Sequence, residues 1–147
     1  MTDHVTTTTT DNGLGWMLDE VVRVPEARHA ILLSADGMLR AYSEGIHRDE
    51  AERQAAALSG LQSISRSTAE FCEGEESPWQ QTLVEFAGGY VFLIAAGPGA
   101  YLALSATAEV DMEAITYRMQ KLVDRLGREL TAPPRQDLSR QGIGSPV

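Results

Sequence analysis

His4, His29, His47 and Cys72 are the imidazole and thiol side chains that would anchor a zinc site or pair as base and nucleophile. The three histidines fall on a terminal tail, a loop and a helix approach, with no H-x-x-x-H pair and no second cysteine, so no zinc site is expected. Nothing in the local sequence activates Cys72, which reads as a small buried hydrophobe. Glu70, Glu73, Glu75 and Glu76 have the charge to hold a cation or a basic partner, but a run of like charges is most simply a solvated loop. There is no serine–histidine–aspartate order and no nucleophile elbow. The P-loop pattern G-x-x-x-x-G-K-[ST] is absent, and Gly97-Pro98-Gly99 joins two strand-like runs, so it is expected to be a turn and not a phosphate cradle. Arg53 and Arg66 are read as solvated, not as arginine fingers. No catalytic, metal-binding or cofactor-binding residue is therefore assigned.

Composition narrows the partners. Twenty-one acidic against twelve basic residues give a formal charge of −9, which repels phosphate backbones and argues against nucleic acid. The longest near-continuous apolar run, Tyr90–Ala96, is too short to span a bilayer, so no membrane insertion is expected. The opening MTDHVTTTTTD lacks the positive start and apolar block of a secretory signal. A single cysteine excludes an intramolecular disulfide, and together these features suit a reducing cytoplasm.

The elements that would position any site follow from periodicity. Residues 1–11, with five consecutive threonines, are expected to be a flexible tail, 12–131 a single domain, and 132–147 a disordered tail after Pro133-Pro134. Leu14, Met17, Leu18, Val21 and Val22 have helical spacing, with Asp11 or Asn12 available as N-cap and Pro25 as the stop. Ala30–Ser34 and Met38–Ser43 read as a hairpin turning through Asp36-Gly37 in a two-residue loop. Asp49–Phe71 reads as the longest helix, with Asp49 and Glu52 at capping-box spacing. Trp79–Phe86, Tyr90–Ala96 and Ala100–Ala106 read as a three-strand meander. A last helix opens at Thr107 or Asp111 and carries the stripe Ile115, Met119, Leu122, Leu126, Leu130. Because Tyr90–Ala96 is apolar at odd and even positions, both faces of its sheet must be covered. The expected fold is α/β (α+β), a three-layer α/β/α sandwich around a five-stranded antiparallel sheet.

This order of elements resembles the Roadblock family, which includes dynein light chains and bacterial regulators of small GTPases. The residues that carry the likeness are Val24-Pro25 through Ala41, the hydrophobic-Ser-Ala-Asp-Gly turn at Leu33–Gly37, and the run Leu93–Leu104. It is nearest in character to short actinobacterial Roadblock proteins, typically encoded beside a sensor histidine kinase and a Ras-like GTPase. The resemblance implies a non-enzymatic dimer in a signalling module that scaffolds or activates such a GTPase, cytoplasmic and recruited to a membrane only through a partner. It also implies paired middle helices and third strands joined edge to edge.

The sequence gives that geometry independent support. With strand five beside strand one, Trp79–Phe86 is left at an edge whose only charge is Glu85, and an edge so unguarded is a hazard unless it is paired. The opposite edge carries Arg40. The expected homodimer interface comprises Ala51, Ala55, Leu58 and Leu61 on the small-residue helix, with Trp79, Gln81 and Leu83 at the strand. The alternative is a small-molecule sensor of profilin or PAS type, which requires a concave apolar pocket with convergent polar groups.

Overall fold

The computed structural model describes residues 12–72 and 77–131; the expected tails 1–11 and 132–147 and the acidic residues 73–76 lie outside the described residues. A 3-10 turn, Asn12–Leu14, runs into α1 (Gly15–Val21). Strands β1 (Ala27–Ser34) and β2 (Leu39–Tyr42) follow, then α2 (Arg48–Arg66) and the single turn α3 (Ala69–Cys72). Strands β3 (Gln81–Phe86), β4 (Gly89–Ala95) and β5 (Ala100–Thr107) precede α4 (Met112–Thr131). All pairings are antiparallel, in the spatial order β2-β1-β5-β4-β3.

The pleat sorts the core into two slabs. Ala30, Leu32, Phe92, Leu102 and Leu104 pack beneath α1 and α4, against Met17, Leu18, Ile115, Met119 and Leu126. Ile31, Leu33, Leu93 and Ala103 point the other way, against Ala51, Ala55 and Leu58 of α2. The expected three-layer sandwich is what forms, and Phe92 and Leu93, adjacent on β4, show why that strand had to be apolar on both faces.

Several local expectations change. The connection between β1 and β2 is longer than two residues, Ala35 to Met38: Ser34 N–H donates to the Met38 carbonyl at 2.9 Å, closing the turn around Ala35 to Gly37, and Gly37 alone there takes positive φ, +88°. Ser34 Oγ donates to the Asp36 carboxylate, which holds that acid below its usual range. Helix α2 begins a residue early, with His47 at the N-cap and no side-chain cap, so Asp49 and Glu52 form no capping box. Instead Glu52 accepts from Arg48 Nε at 3.3 Å. The helix also stops early. The hydroxyls of Ser67 and Thr68 donate back to the carbonyls of Ile64 (2.7 Å) and Ser65 (2.6 Å), a competition that ends the regular ladder. Beyond that break Phe71, the expected end of the long helix, is 94% exposed. Cys72 is exposed, not buried, because it too lies past the break.

At the last helix, Asp111 is the cap: its Oδ1 accepts from the N–H groups of Glu113 (3.1 Å) and Ala114 (3.2 Å). No helix among the described residues is long and apolar enough to cross a membrane.

Candidate partner-binding surface

Strand β3 pairs on one side only, with β4, from Gln81 opposite Ile94 to Phe86 opposite Gly89. The Ala95 N–H donates to the Gln80 carbonyl at 3.3 Å. Antiparallel alternation then turns the main-chain groups of Gln81, Leu83 and Glu85 outward, away from β4. Leu83 is 47% exposed and Phe86 60%. Val84 sits opposite Val91, which belongs to the α2-side slab, so Val84 and Phe86 extend that apolar face to the very edge of the sheet.

Helix α2 covers only part of this face. Between it and β4 lies a groove of about 450 Å³, with Ile31, Val91 and Ala103 on its floor and Glu50, Gln54 and Leu58 on its α2 wall. Those wall residues identify the flank of α2 that turns toward β4. Helical spacing continues that flank through Ala57, Leu61 and Ile64. Ala57 and Ile64 are exposed and Leu61 is half-buried. A Cβ built on Gly60 would meet nothing within 4 Å. A low, apolar ridge on α2 therefore faces the same side as the open strand.

The residues picked from sequence divide between inside and outside. Ala51 and Ala55 are fully buried and Leu58 is 8% exposed, all three against the molecule's own sheet, so they are not surface a partner can reach. The absence of bulk that made them candidates instead lets α2 lie close on β1 and β2. Leu61 is at the boundary. Trp79 precedes β3 and is half-buried, its ring edge-on to Tyr101 at 5.5 Å and its indole N–H donating to Thr82 Oγ1 at 2.8 Å. Gln81 and Leu83 are on the open edge. The structure also exposes Ala57, Gly60, Ile64 and Phe86, which the expected interface did not include. A second stripe at helical spacing, opposite the polar flank of α2 and ending in an isoleucine, was the available signal.

Other candidate chemistry disperses. Gly97-Pro98-Gly99 is a turn, closed by the Ala100 N–H on the Gly97 carbonyl at 3.2 Å. Arg53 pairs with Glu50 along α2. Among the described residues no group of three His, Cys, Asp or Glu could hold a metal ion. His29 is on the groove floor, and its Nδ1 is buried without a hydrogen-bond partner. Burial first, and the nearby Arg28 second, lower its pKa from 6.5, with Glu50 opposing them.

Together these features define a small three-layer α/β/α domain whose antiparallel sheet ends in an open strand beside an apolar helix flank. The model of the Roadblock/LC7 domain matches residues 14–106, and the chain belongs to that family. The Roadblock/LC7 domain from Streptomyces avermitilis is 34% identical, with 81% of this chain and 98% of that one covered at a TM-score of 0.75. Myxococcus xanthus MglB shares the fold at 15% identity, covering 84% and 98% of the two chains with a TM-score of 0.72. Profilin IA of Acanthamoeba castellanii does so at 15% identity, covering 80% and 98%, with a TM-score of 0.56. No curated protein matches the chain.

Proposed function

We propose that this protein is a homodimeric, non-enzymatic adaptor that binds and regulates a small Ras-like GTPase. One observation carries the dimer: β3 offers the outward main-chain groups of Gln81, Leu83 and Glu85 with no proline, lysine or bulge to guard them. Two copies meeting antiparallel at β3 would continue the sheet across a two-fold axis. The α2 ridge of Ala57, Gly60 and Ile64 would then approach its symmetry mate over the uncovered half of the sheet, burying Phe86 and Val84. Membership of the Roadblock/LC7 family supports a GTPase partner, and the sensor kinase belongs to the same reading.

Light scattering at micromolar concentration tests the dimer; a strict monomer sinks it. GTP turnover by a candidate Ras-like small GTPase, with and without this protein, then separates an activator, which raises the rate, from a scaffold, which co-purifies without changing it. The absence of both effects would reject the GTPase reading.

A second reading, a small-molecule sensor, is favoured by one specific feature. The groove of about 450 Å³ has His29 on its floor with an unpartnered buried Nδ1. A ligand supplying that hydrogen bond would raise the melting temperature of wild type but not of His29→Leu.

A further inference from the structure

On the opposite face of the sheet, α1 and α4 pack side by side and leave a cleft of about 310 Å³ between them. Its floor is apolar, made by Met17, Val21 and Leu122, and its rim carries Arg118, Lys121 and Arg125. Their spacing places all three cations along one flank of α4. This concentration is unusual for the chain, which has twelve basic residues against twenty-one acidic ones and no lysine other than Lys121.

The cleft's one carboxylate, Glu20, already accepts from Arg125 Nη1 at 2.7 Å. Among the described residues no carboxylate lies in ion-pair reach of Arg118 or Lys121. Aromatic rings steady two of the cations instead. The Arg125 guanidinium lies 5.2 Å from the centre of the Trp16 ring, and Lys121 Nζ lies 5.4 Å from that of Tyr117. Both rings are largely exposed, at 56% and 61%. A cation held over a ring face keeps its charge while its side chain is ordered, so the rim is arranged in advance for an anion.

We propose that this cleft docks a short acidic peptide segment of a partner protein. Its carboxylates would meet Arg118 and Lys121, and an apolar side chain would settle on Met17, Val21 and Leu122 between the two exposed rings. Charge decides among anionic partners. A bilayer or a nucleic acid presents its charge to much of a molecule whose net charge is −9, whereas a short segment meets only the positive rim. Screening over about 8 Å in physiological salt keeps the distant acidic surface from cancelling that local attraction. The cleft lies in a different layer from β3 and α2, so the proposal does not depend on the dimer.

The test uses the full chain and a fluorescein-labelled peptide, Glu-Glu-Leu-Glu-Glu-Leu-Glu, followed by fluorescence polarisation. Binding is expected to weaken with added salt, to fall about tenfold in Lys121→Glu, and to fall about a hundredfold in Arg118→Glu/Lys121→Glu. The Trp16 emission should shift on peptide addition. Both substituted side chains are exposed, so circular dichroism and light scattering should match wild type. Peptide binding that is absent, or equal in the double variant, overturns the proposal. So does charge-dependent capture by phosphatidylserine-containing vesicles without peptide binding.

Discussion

The two edges of the sheet are built from the same kind of strand and treated in opposite ways. At β2, the Asn12 side chain accepts the Tyr42 N–H at 2.8 Å, and Asp19 Oδ1 accepts the Glu44 N–H at 2.8 Å just beyond the strand. The strand itself alternates buried and half-buried residues beneath flanking helices. At β3 only Thr82 and Val84 are even half-buried. At the β2 edge one outward N–H of the strand, and another just past its end, are satisfied within the chain, whereas β3 turns the main-chain groups of Gln81, Leu83 and Glu85 outward. That asymmetry supports the proposed closed two-fold dimer: a single open edge pairs once and stops, whereas two would propagate.

Closing β3 should have the largest effect. In Leu83→Pro the lost N–H is one that points away from β4, so the hairpin keeps its ladder while the outward donor disappears and a ring is placed in the path of a second strand. Dimer affinity should fall about a hundredfold, or about 2.7 kcal/mol, measured by analytical ultracentrifugation with an unchanged circular dichroism spectrum. A dimer of wild-type affinity would show that β3 is not the seam. Opening β2 is the converse. Asn12→Ala/Asp19→Ala removes both guards and leaves the Tyr42 and Glu44 N–H groups to find other partners. A loss of about 2 kcal/mol in chemical denaturation is expected, with concentration-dependent species larger than a dimer. If the variant stays dimeric at high concentration, the guards matter for stability alone.

Helix α2 repeats the contrast on a smaller scale, between its buried and exposed flanks. Ile64→Asp changes a side chain that is 68% exposed, so melting should stay within about 0.5 kcal/mol of wild type while dimer affinity drops about tenfold. An unaltered dimer in light scattering would remove the ridge from the interface.

Much of this plan was legible in the sequence because it is written locally. Asp111 stands one residue before a helix whose apolar stripe has a period of 3.6, and Tyr90–Ala96 is apolar on both faces, so the last helix and the layering follow from neighbours in the chain. The β2 guard is different in kind. Asn12 and Tyr42 are thirty residues apart, and a side chain that accepts a main-chain N–H at that distance leaves no pattern in either segment. The break after Arg66 turned on whether two hydroxyls at Ser67 and Thr68 bond backward, which composition alone does not decide. Small residues on α2 posed a subtler problem. Ala51 and Ala55 satisfy the demands of close packing equally well against the molecule's own sheet or a second copy, and only the position of β1 and β2 beneath them settles which.

The smallest expected effect tests the groove between the guarded and open halves of the sheet. His29 has its pKa lowered chiefly by burial and then by Arg28, while Glu50 pulls the other way; His47 also lines the groove. Between the lowered folded value and the ordinary 6.5, the unfolded chain binds more protons than the folded one. Stability must therefore rise with pH across that window, and it is lost as pH falls below about 6.5, levelling off once His29 is protonated in the folded state too. The loss should be small, because much of the ring remains open to water. His29→Gln should flatten the dependence of melting temperature on pH below neutrality. If the dimer covers this groove, the wild-type slope should steepen as protein concentration rises, and in Leu83→Pro it should not. A slope independent of concentration would place the groove outside the interface, leaving the open edge to hold the two copies together without it.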